Sequence, residues 1–354
     1  MANVHSVSPA NAEGQRRRRG TGKVRLTDVA KMARVAPITV SRALNSPDSV
    51  APETLRRVRD AIERTGYVPN MLAGGLASSA SRLIAAVVPT ITSPVFQDTW
   101  EALTDTFAEA GYHLTFSQTG YSGPPEDGFL DSIIARRPDG IVLTGVMRSP
   151  RGRRRLLAAD IPVVETWDLT PTPIDMLVGF SHEDIGAAVA EHLHSKGRGR
   201  IAVITAADDR AGRRAKGLAL AAARLGIAKV LARELPMFVA PAPGTLGSGR
   251  EGLASLLARH PRIDAVFCSS DMLALGAMIE ALAQGIPVPE RIAIVGYGDL
   301  NFAANTVPAL TTVNVDGPAI GRLAARCIID RVQGRLVEEP VVDVGFSIVE
   351  RESA

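Results

Sequence analysis

The feature that most limits what this chain can fold into is an alternation that starts at Leu83 and continues almost to the end. Short apolar runs of strand length are followed, again and again, by longer stretches whose apolar residues recur every three or four positions. The spacing predicts strands near 83–88, 113–117, 140–143, 163–165, 201–205, 265–268 and 292–295. Helices are expected between them, near 95–110, 127–136, 185–196, 213–225, 249–260 and 272–284. Alternation of this kind means parallel strands joined by right-handed crossovers. There is too much of it for one sheet, so the expected core, 83–354, divides into two doubly wound lobes. The first lobe is expected to take about 83–180 plus 311–338, and the second about 181–310 plus 339–354. In open parallel sheets a ligand sits beyond the carboxyl ends of the strands, and two facing lobes turn that position into a cleft.

Charge is distributed unevenly around this core. Residues 1–70 hold 13 Lys or Arg against 6 Asp or Glu, a balance of +7, while the remaining 284 residues balance to −4. A basic module on an otherwise slightly acidic chain suits a polyanionic partner, because neutralising phosphates releases counterions. Apolar residues make up 46% and aromatic ones only 4%, which suits helices and buried strands rather than disorder. No apolar run approaches the roughly 20 residues of a membrane span, and the N-terminus lacks the apolar segment of an export signal. The expected location is the cytoplasm, in association with the nucleoid and without a membrane partner. Cys268 and Cys327 lie in apolar runs far from any CxxC spacing, so both are expected as buried free thiols.

The basic end divides further. Residues 1–24, with Arg16 to Arg19 among glycines, have no apolar periodicity and are expected to form a disordered basic arm. Residues 25–69 carry three short helical patterns, near 27–33, 38–45 and 52–65, with Thr27 as an expected N-cap and Pro52 in a first helical turn. Leu26, Val29, Ala30, Ala33, Val35, Val40, Leu44, Leu55, Val58 and Ile62 would make one small core. This is the layout of a helix-turn-helix, whose second helix enters the major groove by its N-terminal residues. Burying Val40 and Leu44 turns Pro37, Ile38, Ser41 and Arg42 outward. There Arg42 suits guanine O6 and N7, and Ile38 suits a thymine methyl. Thr39 and Asn45 are placed for phosphate.

These residues carry a specific resemblance. The run from Leu26 to Asn70, with Asp28-Val29-Ala30, Thr39-Val40-Ser41-Arg42, Asn45 and Gly66-Tyr67-x-Pro69-Asn70, strongly resembles the N-terminal module of the lactose/galactose-repressor (LacI/GalR) family. The resemblance continues through Ser270 to Ala277, Val295-Gly296-Tyr297 and Pro308 to Val313. It implies operator DNA as partner, with Thr27 and Asn70 added to the contacting residues. It also implies a hinge over 70–82 that folds on DNA and wedges a leucine, by position Leu76, into the minor groove. Gly74 and Gly75 disfavour helix in the free hinge. The chain departs from the family pattern at Arg34, Ala36 and Ala51, where Gly, Ser and Ser are usual. The first departure costs of order 1 kcal/mol if position 34 is left-handed, and the other two remove capping oxygens. An arginine at position 34 is expected to contact phosphate, so Arg34→Gly should flatten the salt dependence of DNA binding; an unchanged slope refutes the contact.

For a small ligand, the expected strand ends offer Pro89, Thr90, Gln118, Tyr121, Thr144, Arg148, Thr166 and Asp168 in the first lobe, and Ser269, Ser270, Gly298 and Asp299 in the second. Phe180 joins this set, and Arg214 matches the arginine by which many family members grip polar effectors. Family members that bind neutral sugars commonly carry Asp after the Gly-Tyr pair, where this chain has Gly298. Losing that carboxylate favours an anion, and Arg214, Arg148 and a helix N-terminus would attract one. The wider text resembles the gluconate-repressor subgroup, which implies gluconate or a related aldonate, although Asp299 next door still suits a neutral sugar.

Enzyme signals are poor. Gly22-Lys23 is followed by Val24 rather than a Walker hydroxyl, and there is no GxSxG elbow and no HExxH pair. The glycines of 244–252 do not directly follow a strand, and His182, His192 and His194 read as one surface helix, so no cofactor or metal is expected. The reading is a dimeric repressor of sugar or sugar-acid catabolism genes that binds a pseudo-palindrome, the family's C-terminal leucine repeat being absent. A solute-binding protein with the same two-lobed core is the main rival, and a sugar-modifying enzyme the second.

Overall fold

The computed structural model describes residues 24–68, 81–121, 127–227 and 235–354. Most of the expected basic arm and hinge, with Asn70 and Leu76, lies outside them. Contacts divide the chain into two compact units, Met1–Ser79 and Ala80–Ala354.

In the first unit, α1 (Leu26–Ala33), α2 (Pro37–Asn45) and α3 (Pro52–Thr65) enclose Val29, Ala30, Ala33, Val40, Ala43, Val58 and Ala61. Thr27 is not the N-cap. Arg25 holds that position, and the Asp28 carboxylate accepts its backbone N–H at 2.8 Å, leaving Thr27 exposed in the first turn. Asp28 thereby supplies the reciprocal half of a capping box, which needs no oxygen on residue 25. Arg34 ends α1 in the left-handed region, at φ 54° and ψ 48°. Neither Ala36 nor Ala51 caps its helix with a side chain, and in both cases a proline opens the first turn instead.

In the second unit the first lobe is built from β1 (Leu83–Val88), α4 (Gln97–Glu109), β2 (His113–Gln118), α5 (Asp127–Ile134), β3 (Gly140–Thr144), α6 (Pro150–Ala158), β4 (Val163–Thr166) and β5 (Met176–Gly179). The second is built from α7 (His182–Ser195), β6 (Ile201–Ala206), α8 (Asp209–Arg224), β7 (Met237–Ala240), α9 (Leu246–Arg259), β8 (Ala265–Cys268), α10 (Asp271–Ala283), β9 (Ala293–Tyr297) and β10 (Thr311–Asn314). The chain then returns to lay α11 (Gly317–Val332) on the first lobe. It adds β11 (Val341–Asp343) beside β5 and finally β12 (Ser347–Val349), antiparallel, beside β10. The sheet orders are β11-β5-β4-β3-β1-β2 and β12-β10-β9-β8-β6-β7.

The lobe boundary thus differs from the expected one. Thr311–Asn314 pairs with β9 in the second sheet, and Val341–Asp343 pairs with β5 in the first. Strands of three or four residues have no local pattern that says which sheet they will join; register with a distant neighbour decides it. Cys268 and Cys327 are both free and buried. Among the described residues no helix is long and apolar enough to cross a membrane.

Asp271 braces the second lobe from within. It is fully buried, and its carboxylate accepts from the Thr312 hydroxyl at 2.6 Å and from the Leu300 N–H at 2.8 Å, tying α10 to β10 and to the loop after β9. Burial pushes its pKa from 3.8 up to about 6, against the pull of those hydrogen bonds. A carboxyl that holds its proton more tightly when folded contributes stability that is complete at acid pH. That contribution is lost as pH rises from the unfolded value towards the folded one. The stability of wild type minus that of Asp271→Asn should therefore fall by on the order of 3 kcal/mol between pH 4 and pH 6.5. Denaturant titrations across that range check the slope, and a flat difference refutes it.

Candidate functional site

Two surfaces carry candidate chemistry, one in each unit. On the first, α2 presents Pro37, Ile38 and Arg42 to solvent, with Thr39 and Ser41 half-buried, while Val40 is buried against α1 and α3. Ile38 keeps 59% of its surface exposed, so its apolar end is free for contact. The side chain of Asn45 lies outside the described residues.

The second surface is a cleft of about 290 Å³ at the carboxyl ends of both sheets, where parallel sheets place their ligands. The first lobe supplies the 92–96 loop, Tyr121 and Trp167. The second supplies Asp208, Arg210, Arg214, Thr245, Ser269, Ser270, Tyr297 and Leu300, and His182 stands where the chain crosses between lobes. Beyond Tyr121 and Arg210 a second chamber of about 490 Å³ continues past Thr144, Arg148 and Asp168. Of the residues expected to meet a ligand, Tyr121, Arg214, Ser269 and Ser270 line the first chamber and Pro89, Thr144, Arg148 and Asp168 the second.

Six expected residues do not reach either chamber: Thr90, Thr166 and Gly298, and with them Gln118, Phe180 and Asp299. Gln118 ends the edge strand β2, exposed, and its Oε1 accepts from the Ile91 N–H at 3.3 Å. Phe180 is fully buried and backs the site from behind, its ring set edge-on to Trp167 at 5.7 Å and to His182 at 4.9 Å. Asp299, at φ 47°, has its carboxylate taken by Arg351 at 2.7 Å and Asn314 at 3.1 Å. Gly298 beside it, at φ 125°, faces Val95 so closely that an added Cβ would come within 3.2 Å of it.

His182 is not on a surface. It is 1% exposed and links both lobes. Its Nε2 is 3.0 Å from the Trp167 carbonyl and its Nδ1 3.0 Å from Nη1 of Arg214. A carbonyl only accepts and a guanidinium only donates, so the imidazole is neutral with its proton on Nε2. Burial, then the charges of Arg214, Arg210 and Arg213, hold its pKa well below the ordinary value, which agrees. Glycines make this meeting possible. A Cβ at Gly186 would lie 2.0 Å from the Arg214 carbonyl, and one at Gly217 2.0 Å from that of Glu183. The bare backbones of α7 and α8 therefore touch, which sets His182 and Arg214 side by side.

Arg214 is 5% exposed, stacked 4.0 Å over the Tyr297 ring, with Nη2 donating to the Ser269 carbonyl at 3.0 Å. Its Nε–H has no acceptor, and neither have Nη1 of Arg210 and Nε1 of Trp167, all buried. Trp167 itself is held at φ 62°, a strained conformation for a tryptophan, by edge-on contacts with Phe96 and Phe180. Three buried N–H donors without partners line one chamber, and each is costly unless an acceptor reaches it. Sequence reasoning missed Trp167, Arg210 and His182. Arg210 lay one turn ahead of Arg214 in the run Arg210-Ala-Gly-Arg213-Arg214, which was the available signal.

Below these donors an ion-pair lattice crosses the cleft. Asp168, 2% exposed, takes Arg213 from the opposite lobe and Arg148 at 3.4 Å from its own, while Arg148 also reaches Asp209 across the gap at 3.2 Å. Removing one partner of a desolvated pair leaves the other uncompensated. Asp168→Asn should accordingly cost the core on the order of 2 kcal/mol and separate the lobes. A lowered melting temperature with an increased radius of gyration in X-ray scattering is the expected result; an unchanged radius would show that the lattice does not hold the lobes.

Comparison with known proteins matches this architecture. Residues 25–70 match the model of bacterial regulatory proteins of the lacI family, and residues 190–354 the periplasmic binding protein-like domain. The chain is 38% identical over 336 residues to the HTH-type transcriptional regulator GntR of Pseudomonas aeruginosa, covering 95% of this chain and 97% of that one. It is 28% identical to the regulator IdnR of Escherichia coli, over 92% of this chain and 97% of that one. Among solved structures, a LacI family transcriptional regulator from Silicibacter pomeroyi superposes with a TM-score of 0.86 at 29% identity, covering 93% of this chain and 99% of the other. The transcription regulator GntR from Chromobacterium violaceum gives 0.72 at 33% identity, over 77% and 98%. The chain therefore belongs to the lacI family of bacterial regulatory proteins, as a DNA-binding transcriptional regulator controlled by a small effector.

Proposed function

We propose that the chain acts as a homodimeric repressor of sugar-acid catabolism genes, with its operator affinity set by gluconate or a related aldonate held in the interlobe cleft. The observation that carries this is the set of unpaired donors on Trp167, Arg210 and Arg214. An aldonate offers what they lack: a carboxylate for the guanidinium groups and a row of hydroxyl oxygens for the indole N–H. A chamber of about 290 Å³ is at the small end for ligand pockets, which suits a compact metabolite. The absence of a side chain at Gly298, and the engagement of Asp299 with Arg351, leave no free carboxylate there to repel an anion. The names of the relatives from Pseudomonas aeruginosa and Chromobacterium violaceum support the same subgroup.

On DNA, Arg42 and Ile38 would read base edges, with Pro37 and Ser41 beside them, one α2 in each half-site. Thr27, Thr39, Asn45 and Asn70 would hold phosphates, and Leu76 the central minor-groove step. In this reading the cleft serves regulation of DNA binding.

Titration calorimetry with gluconate, glucose and galactose tests the effector. Heat is expected with gluconate and little with the neutral sugars. Arg214→Gln should weaken binding at least tenfold, and Trp167→Phe by a smaller factor through the single N–H it removes. No heat with any aldonate would end the proposal.

A further inference from the structure

The far end of the second lobe carries a cation-rich cavity that plays no part in the effector reading. The loops that precede β6, β8 and β9 close around about 480 Å³, contributing Lys196, Arg198, Arg200, Arg262 and Arg291 against Asp264 and Glu290. The chain beyond residue 70 is slightly acidic overall, so this is a local excess. Two of the arginines are fixed by backbone rather than by carboxylates. Arg198 donates to the Pro289 carbonyl at 2.7 Å, and Arg291 to the Ile263 carbonyl at 2.5 Å. A carbonyl oxygen holds a guanidinium in place but leaves its formal charge uncompensated. The Nε–H of Arg198 is also buried without an acceptor. Arg262 is exposed and forms no ion pair among the described residues, whereas Lys196 and Arg200 face Glu350 and Asp264.

We propose that this cavity binds a small phosphate-bearing metabolite, a phosphate monoester or diphosphate, at a second site distinct from the cleft. Five cations around two carboxylates call for a ligand with at least two negative charges, and one phosphate group carries roughly −1.5 to −2 at neutral pH with three acceptor oxygens. Guanidinium groups match such oxygens in pairs, and their immobilisation before binding lowers the ordering cost. The cavity lies at the amino ends of strands whose carboxyl ends form the cleft, roughly 20 Å away along strands of this length. Both sites can therefore be filled at once.

Calorimetric titration of the full chain with pyrophosphate, at constant ionic strength, tests this. Saturable binding is expected in the wild type and in Arg214→Gln, and at least tenfold weaker binding in Arg262→Glu and Arg198→Gln. Arg198 also holds a loop, so if that variant fails to fold the exposed Arg262 decides. Binding that survives Arg262→Glu unchanged, binding lost with Arg214→Gln instead, displacement of pyrophosphate by a short DNA duplex, or no binding at all overturns the proposal.

Discussion

A neutral, buried imidazole is the contact on which the cleft depends. His182 gives its one proton to a carbonyl of the first lobe and accepts from a guanidinium of the second, so its two nitrogens fix the distance between Trp167 and Arg214. Protonating it would turn the Arg214 contact into a repulsion between two donors, and burial together with three neighbouring arginines prevents that at ordinary pH. The arrangement begins in the backbone. Only where α7 and α8 lack side chains, at Gly186 and Gly217, can the two helices approach closely enough for His182 in the first turn of one to share a hydrogen bond with Arg214 in the second turn of the other. With Arg214 held at both terminal nitrogens, its Nε–H has a single direction, and that direction is set before any ligand arrives.

Charge in the cleft is separated by role. The carboxylate of Asp168, expected from its place at a strand end to meet a ligand, is occupied by Arg213 and Arg148 and works between the lobes. Asp299 is occupied in the same way by Arg351 and Asn314. In the first chamber the carboxylate of Asp208 caps α8, while donors on Trp167, Arg210 and Arg214 stand without acceptors. A ligand there is selected by what it can accept, and one that fits both lobes stabilises their closed arrangement only by the difference in its affinity for closed and open forms.

Much of this was legible in the sequence, and the gaps have physical causes. Strands β1 and β8 fall where alternation placed them, because both are buried apolar runs flanked by turns. Helices α7 and α8 start three and four residues before their apolar periodicity does. Ser181 and Asp208 cap them with a side-chain oxygen, and the polar first turn carries no period. Those unread turns hold His182 and Arg210, so the error of boundary was also the error of site. The outward face of α2 was readable because Val40 fixes the helix's rotation. Asp299 was not, since its partner Arg351 is 52 residues away in sequence and no local pattern couples them.

Strain also separates the two units. Trp167 and Asp299 both sit at positive φ, yet each is surrounded by contacts that determine it: aromatic edges around the indole, and an arginine and an amide on the carboxylate. Neighbours that over-determine a strained residue make its conformation persist. Arg34, at φ 54°, has only the backbone bonds that close α1, and its side chain extends into solvent. Glycine would make the same turn without the cost of roughly 1 kcal/mol. Among the described residues no side-chain hydrogen bond or ion pair of Arg34 offsets that cost.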